Sequence, residues 1–200
     1  VYARRWRVDR FERATGVTPD RTLAEGDVVP VGGDDAEIDG GDAEVDGDGV
    51  IRVLETPGHA VDHLAFETPA GVVCGDVAIA RGSLAVTAPG GDMRAYMTSL
   101  RRLHARNPWA LLPGHGPVDD DPQATLRRLI DHRRRRERRV LAAVEAGAHT
   151  LDAILDAAYE KDLTGVRGMA AGTVRAHLQK LDAEGAIDWN RAAGRARTTA

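Results

Sequence analysis

The sequence holds a single cysteine, Cys74, in 200 residues. That excludes an internal disulfide and gives no sign of an oxidising compartment. Lysine is nearly missing as well: Lys161 and Lys180 are the only two, so arginine supplies almost every positive charge, while aspartate outnumbers glutamate about two to one. Such usage describes a GC-rich or salt-adapted source and not an activity. No run of about 18 apolar residues occurs, which excludes a membrane-spanning helix. The chain opens Val1-Tyr2-Ala3-Arg4-Arg5, with no initiator methionine, no basic-then-apolar leader and no small-residue cleavage site. A biological start upstream of Val1 and a soluble, cytoplasmic setting are the expectations.

With 42% hydrophobic residues, the chain can build one ordinary domain plus a small one, or one large domain. Charge divides it. Residues 1–121 carry 12 Arg against 21 Asp and Glu, a net of −9, whereas residues 122–200 carry 15 Lys and Arg against 10 Asp and Glu, a net of +5. An acidic front and a basic rear predict two modules.

Short β-like runs punctuated by Gly, Asp and Pro dominate from Val28 to His115. Strands are predicted at 28–31, 50–54, 63–66, 71–74 and 109–112. One helix interrupts them over 92–106, where Met93, Tyr96, Met97, Leu100 and Leu103 recur at helical spacing behind Asp92 as N-cap. Strands mixed with an amphipathic helix imply a layered α/β (α+β) fold. Pro122 opens a long helical pattern through Leu126, Leu129, Ile130, Val140, Leu141 and Val144 to about Gly147. Further helices are predicted over 150–159 and 169–184, with Gly185 as the stop, followed by a short strand at Ala186–Trp189. The divisions expected are therefore 1–121, a connecting helix at 122–147, and a small helical domain at 148–200.

Three polar clusters share one local setting. Thr56-Pro57-Gly58-His59, Gly75-Asp76 and Pro113-Gly114-His115-Gly116 each follow a predicted strand on a Gly-containing turn. If those strands run side by side in one direction, the three turns meet at one sheet edge. Imidazole plus carboxylate is a ligand set that zinc, manganese or iron accepts, at about 2.0–2.2 Å for zinc.

These motifs, in this order and with this helix between them, resemble the metallo-β-lactamase superfamily. The resemblance implies the C-terminal half of an αββα sandwich. It makes His59 a ligand of a first zinc ion, Asp76 the carboxylate bridging two ions and taking part in the chemistry, and His115 a ligand of the second. Asp62 and His63 fall in supporting positions. Ala95–Leu100, Gly114–Val118 and His132-Arg133 with Glu137 are similar to the β-lactamase-like subgroup whose members end in a winged helix, which residues 148–200 would supply. The family's other ligand cluster, His-x-His-x-Asp-His, lies upstream of what Val1 to Arg13 resembles and does not occur here. Each metal would then keep two protein ligands, fewer than the usual three plus water. Weak metal binding, no turnover by this truncated chain, and an uncovered sheet face that promotes homo-oligomers follow as expectations. The family implies metal-assisted hydrolysis of an ester, thioester or phosphodiester, with a small-molecule ester or thioester, or single-stranded RNA, as partner. A nucleic-acid-binding module with a degenerate metal site is the alternative.

Other features have plainer readings beside them. Cys74 reads as a small core residue and not a soft ligand. The Gly- and Asp-rich stretch 32–49 reads as acidic hairpin turns, because Val53 stands where a calcium loop needs its bidentate glutamate. In Asp131–Arg139, Arg133 and Glu137 fall on the apolar stripe, leaving Arg134, Arg135, Arg136, Arg138 and Arg139 to face water and, on the bolder reading, RNA. Arg175, His177 and Lys180 are candidate DNA contacts on the last helix.

Overall fold

A computed structural model of the chain describes residues 2–4, 8–30, 50–160 and 162–199. The acidic stretch at 32–49 lies outside them. The front begins with β1 (Tyr2–Arg4), α1 (Val8–Thr15) and β2 (Arg21–Leu23), the two strands pairing in parallel. A five-stranded sheet follows, built of β3 (Val28–Pro30), β4 (Val50–Glu55), β5 (Leu64–Thr68), β6 (Gly71–Gly75) and, after helix α2 (Met93–Arg106), β7 (Leu111–Pro113), in the order β3-β4-β5-β6-β7. The pairs β3/β4, β4/β5 and β5/β6 are antiparallel and β6/β7 is parallel. Strands β4, β6 and β7 therefore point the same way, and their C-terminal ends share one edge.

The pleat decides what the sheet buries. Leu54, Ala65, Cys74, Val72 and Leu111 join the buried cluster with Met93, Tyr96, Met97, Leu100 and Leu103 of α2. Phe66, Val73 and Leu112, which pair across β5, β6 and β7, point to the opposite face, and Val73 is exposed. Helix α2 starts as its sequence predicts, with the Asp92 side chain accepting from the Ala95 amide, and ends at Asn107 in the left-handed region.

Helix α3 (Pro122–Glu145) is continuous, with Pro122 in its first turn and Asp121 as N-cap. Its first half lends Leu126, Leu129 and Ile130 to the sheet's core. Its second half lends Val140, Ala143 and Val144 to another core, completed by α4 (Leu151–Ala158), α5 (Arg167–Ala183) and the hairpin β8 (Ile187–Asn190) and β9 (Arg195–Thr198). The predicted terminal strand is thus one half of a hairpin. Helix α5 also reaches the first core, where Ala176 is buried and the Gly172 carbonyl accepts from the Ala88 amide. A Cβ at Gly172 would lie 2.9 Å from Thr87. No helix among the described residues is long and apolar enough to cross a membrane.

Candidate metal centre

Where β4, β6 and β7 end, the chain turns on glycine and projects His59, Asp76 and His115 toward one another. The His59 Nε2 lies 3.8 Å from one carboxylate oxygen of Asp76, and the His115 Nε2 lies 3.8 Å from the other. The Oδ1 of Asp76 is buried and has no hydrogen-bond partner among the described residues, which is unusual for a carboxylate oxygen and fits a position reserved for a cation. The two imidazoles approach different oxygens of the one carboxylate. Among the described residues no group of three or more His, Cys, Asp or Glu can hold a metal ion by itself.

Supports differ sharply between the two histidines. The Nδ1 of His59 is 2.8 Å from the carbonyl of Ala85. Donation there leaves Nε2 unprotonated toward Asp76, the tautomer a ligand needs. His115 is 74% exposed and makes no hydrogen bond to the described residues, so its ring is held only by its turn.

His63, at the mouth of β5, fixes the carboxylate between them. Its Nδ1 lies 2.7 Å from the Thr56 hydroxyl, and its Nε2 accepts from the Asp76 amide at 3.1 Å. Burial, with the nearby His59 adding to it, holds the His63 ring below the ordinary histidine range, consistent with a neutral acceptor. The turns permit this closeness. Gly75 has φ +49°, and a Cβ there would stand 2.7 Å from His63 Nε2, while a Cβ at Gly58 would stand 2.2 Å from the Tyr96 Cα. Ser99 of α2 donates to the Pro57 carbonyl at 2.7 Å and locks the same turn.

Cys74, one residue before Gly75, is fully buried and donates weakly to the Ala78 carbonyl. Burial pushes its thiol up to about 12, so it is a core residue. Two other sequence readings are corrected. His177 and Lys180 do not face solvent: both are buried, and Glu137 of α3 receives the Lys180 ammonium at 2.8 Å and the His177 Nδ1 at 3.3 Å. Arg136 does not simply face water either. It donates to the Ala158 carbonyl and stacks 3.5 Å above the Tyr159 ring. Arg134 and Arg139 pair with Asp131 and Glu160. Arg133 is buried, as expected, and donates to the Leu84 carbonyl.

The profile of the Metallo-beta-lactamase superfamily matches residues 2–115, and the chain belongs to that superfamily. It is 32% identical over 141 residues to the Beta-lactamase-like protein 2 homolog of Drosophila melanogaster, covering 68% of this chain and 47% of that protein. Over 97 residues it is 34% identical to the Atrochrysone carboxyl ACP thioesterase of Aspergillus fumigatus, covering 48% of this chain and 30% of that one. The fold is that of a metallo-beta-lactamase family protein from Thermus thermophilus, with a TM-score of 0.67 and 23% identity, over 92% of this chain and 56% of the other. The chain thus spans about half the length of the Drosophila relative.

Proposed function

We propose that this chain contributes one side of a two-metal hydrolytic centre, with His59 a ligand of the first ion, Asp76 the bridging carboxylate and His115 a ligand of the second. The observation that carries this reading is the approach of two imidazoles, each at 3.8 Å, to different oxygens of one carboxylate whose Oδ1 is otherwise unpartnered. The donor set suits zinc, with manganese or iron as substitutes. Bound metal would supply Lewis-acid polarisation of the scissile bond and lower the pKa of water towards about 7.

What the chain's own groups do is orientation. Ala85 sets the His59 tautomer, His63 holds the Asp76 backbone, and Asp76 spans both positions. A thioester or related ester is the substrate class favoured, because the similar fungal protein is named as an ACP thioesterase. A phosphodiester in RNA is less well supported, since Arg134 and Arg139, two of the five arginines expected to face RNA, pair with Asp131 and Glu160. Residues 148–200 act as a winged-helix-like accessory unit joined through 122–147.

With two ligands per metal, the 200-residue chain is expected to lose zinc on dialysis and leave an acyl thioester intact. A form extended upstream through a His-x-His-x-Asp-His segment should bind two equivalents and hydrolyse it, and Asp76→Asn should remove both properties. Two equivalents of zinc retained by the short chain would sink the half-site, and hydrolysis surviving Asp76→Asn would sink the role of that carboxylate.

A further inference from the structure

Between the two cores lies a groove of about 280 Å³, walled by Ser83–Ala85 on the sheet side, by α3, and by Tyr159, Val166 and Met169 on the C-terminal side. Arg133 and Arg136 line it, and no acid among the described residues does. Arg133 is the telling one. Its side chain is 3% exposed, its Nε is buried without a hydrogen-bond partner, and no described carboxylate reaches it, since the nearby Glu137 is engaged by His177 and Lys180. A buried guanidinium without a counter-charge is costly, and an anion in the groove would supply one.

The opposite wall has the opposite character. Val166 is 46% exposed and Met169 55%, two of the few large apolar side chains left open to solvent, and both border this groove. His132 also lines it and has a buried, unpartnered Nδ1. One residue of the wall leads to the metal edge, because the carbonyl of Ala85 is the atom that orients His59.

We propose that the groove is a binding site for a small amphiphilic anion, a carboxylate or phosphate on an apolar chain. Arg133 and Arg136 meet the head, and Val166, Met169 and Leu84 flank the chain. The assignment extends the thioester reading of the metal edge, which it needs only for its link to catalysis: the occupant is the part of the substrate remote from the scissile bond.

Binding can be read on the metal-free chain, independently of turnover. Of the three methionines, Met93 and Met97 are buried and Met169 is exposed, so methyl-labelled methionine gives a signal specific to this wall. Titration with octanoate or octyl phosphate should shift the Met169 methyl and leave the other two in place, and the tighter of the two probes identifies the head. Octylammonium, octanol and inorganic phosphate should bind at least ten-fold more weakly. Arg133→Gln would strip Leu84 of its donor and endanger the fold, so the variant to read is Arg136→Gln, which should weaken octanoate or octyl phosphate about ten-fold; Val166→Asp should do the same from the chain side. Absence of any shift, equal binding of octylammonium, octanol or inorganic phosphate, or indifference to Arg136→Gln would each overturn the site. A thioesterase-inactive extended protein that still bound the probe would sink the hydrolase reading and spare the groove.

Discussion

Gly75 stands in the left-handed region with the His63 ring 2.7 Å from where its Cβ would be. Alanine there must both adopt an unfavourable φ and push His63 off the Asp76 amide. Gly75→Ala is expected to cost about 2–3 kcal/mol in urea unfolding, and to loosen zinc binding beyond what stability explains. Next to it, Cys74 gives a cleaner reading. With a thiol pushed up to about 12, thiolate is scarce below that pH in the folded protein. Iodoacetamide should label it slowly from pH 7 to 9 and fast only after unfolding; rapid native labelling would contradict the buried position. At this scale the sequence is informative. His59, Asp76 and His115 each sit in a short motif whose glycine and position after a strand are visible in the letters. His63 is legible there only as a supporting residue, because its partners, Thr56 and the Asp76 amide, are set by strand register.

Helix α5 shows why other assignments fail. It packs against both cores, and Ala170, Thr173, Val174, Ala176, His177, Leu178, Lys180 and Leu181 are all buried. A helix covered on most sides has no single apolar stripe to read, so His177 and Lys180 pass for surface groups. Strands β1 and β2, of three residues each, escape sequence reading because they offer too few positions to show a period and lack the apolar run that marks the equally short β3 and β7. The buried cluster joining α5 to α3 also carries a pH signature. Burial pushes Glu137 upward, but hydrogen bonds from His177 and Lys180 prevail and hold it below the usual range. Its contribution to stability is therefore present above the unfolded carboxyl pKa and lost as pH falls. Glu137→Gln would leave Lys180 buried with only Glu184 and is expected to cost about 2–3 kcal/mol at pH 7. On the same helix, burial and then Arg133 drive His132 down to about 4. The unfolded chain thus binds more protons between about pH 6.5 and 4, and stability falls as pH falls through that window. His132→Gln should recover about 1 kcal/mol at pH 5, the shift being discounted for solvent screening because His132 is only partly buried; an unchanged acid profile would refute that environment.

For the whole molecule, the layered α/β arrangement is deducible from strand runs separated by turns and a helix, whereas the common direction of β4, β6 and β7 enters the sequence reading only as a condition and is supplied by the strand pairing. The sharing of α5 between cores is not, because it depends on a contact between Gly172 and Thr87 that no local pattern announces. The sheet face bearing Phe66, Val73 and Leu112 lies opposite the core, and apolar surface of that kind favours association. Light scattering should show mass rising with concentration, and Val73→Asp should reduce it; a concentration-independent monomer would argue that this face is adequately covered.

The long helix α3 gives the molecule a common spine. A protease looking for a soft joint between an acidic front and a basic rear finds 24 residues of unbroken helix, each half embedded in a different core. The two halves cannot behave as beads on a string. Freeing either one would tear a wall out of the other, so heating should produce a single melting step, and the modular look of the sequence disguises two cores that share one beam.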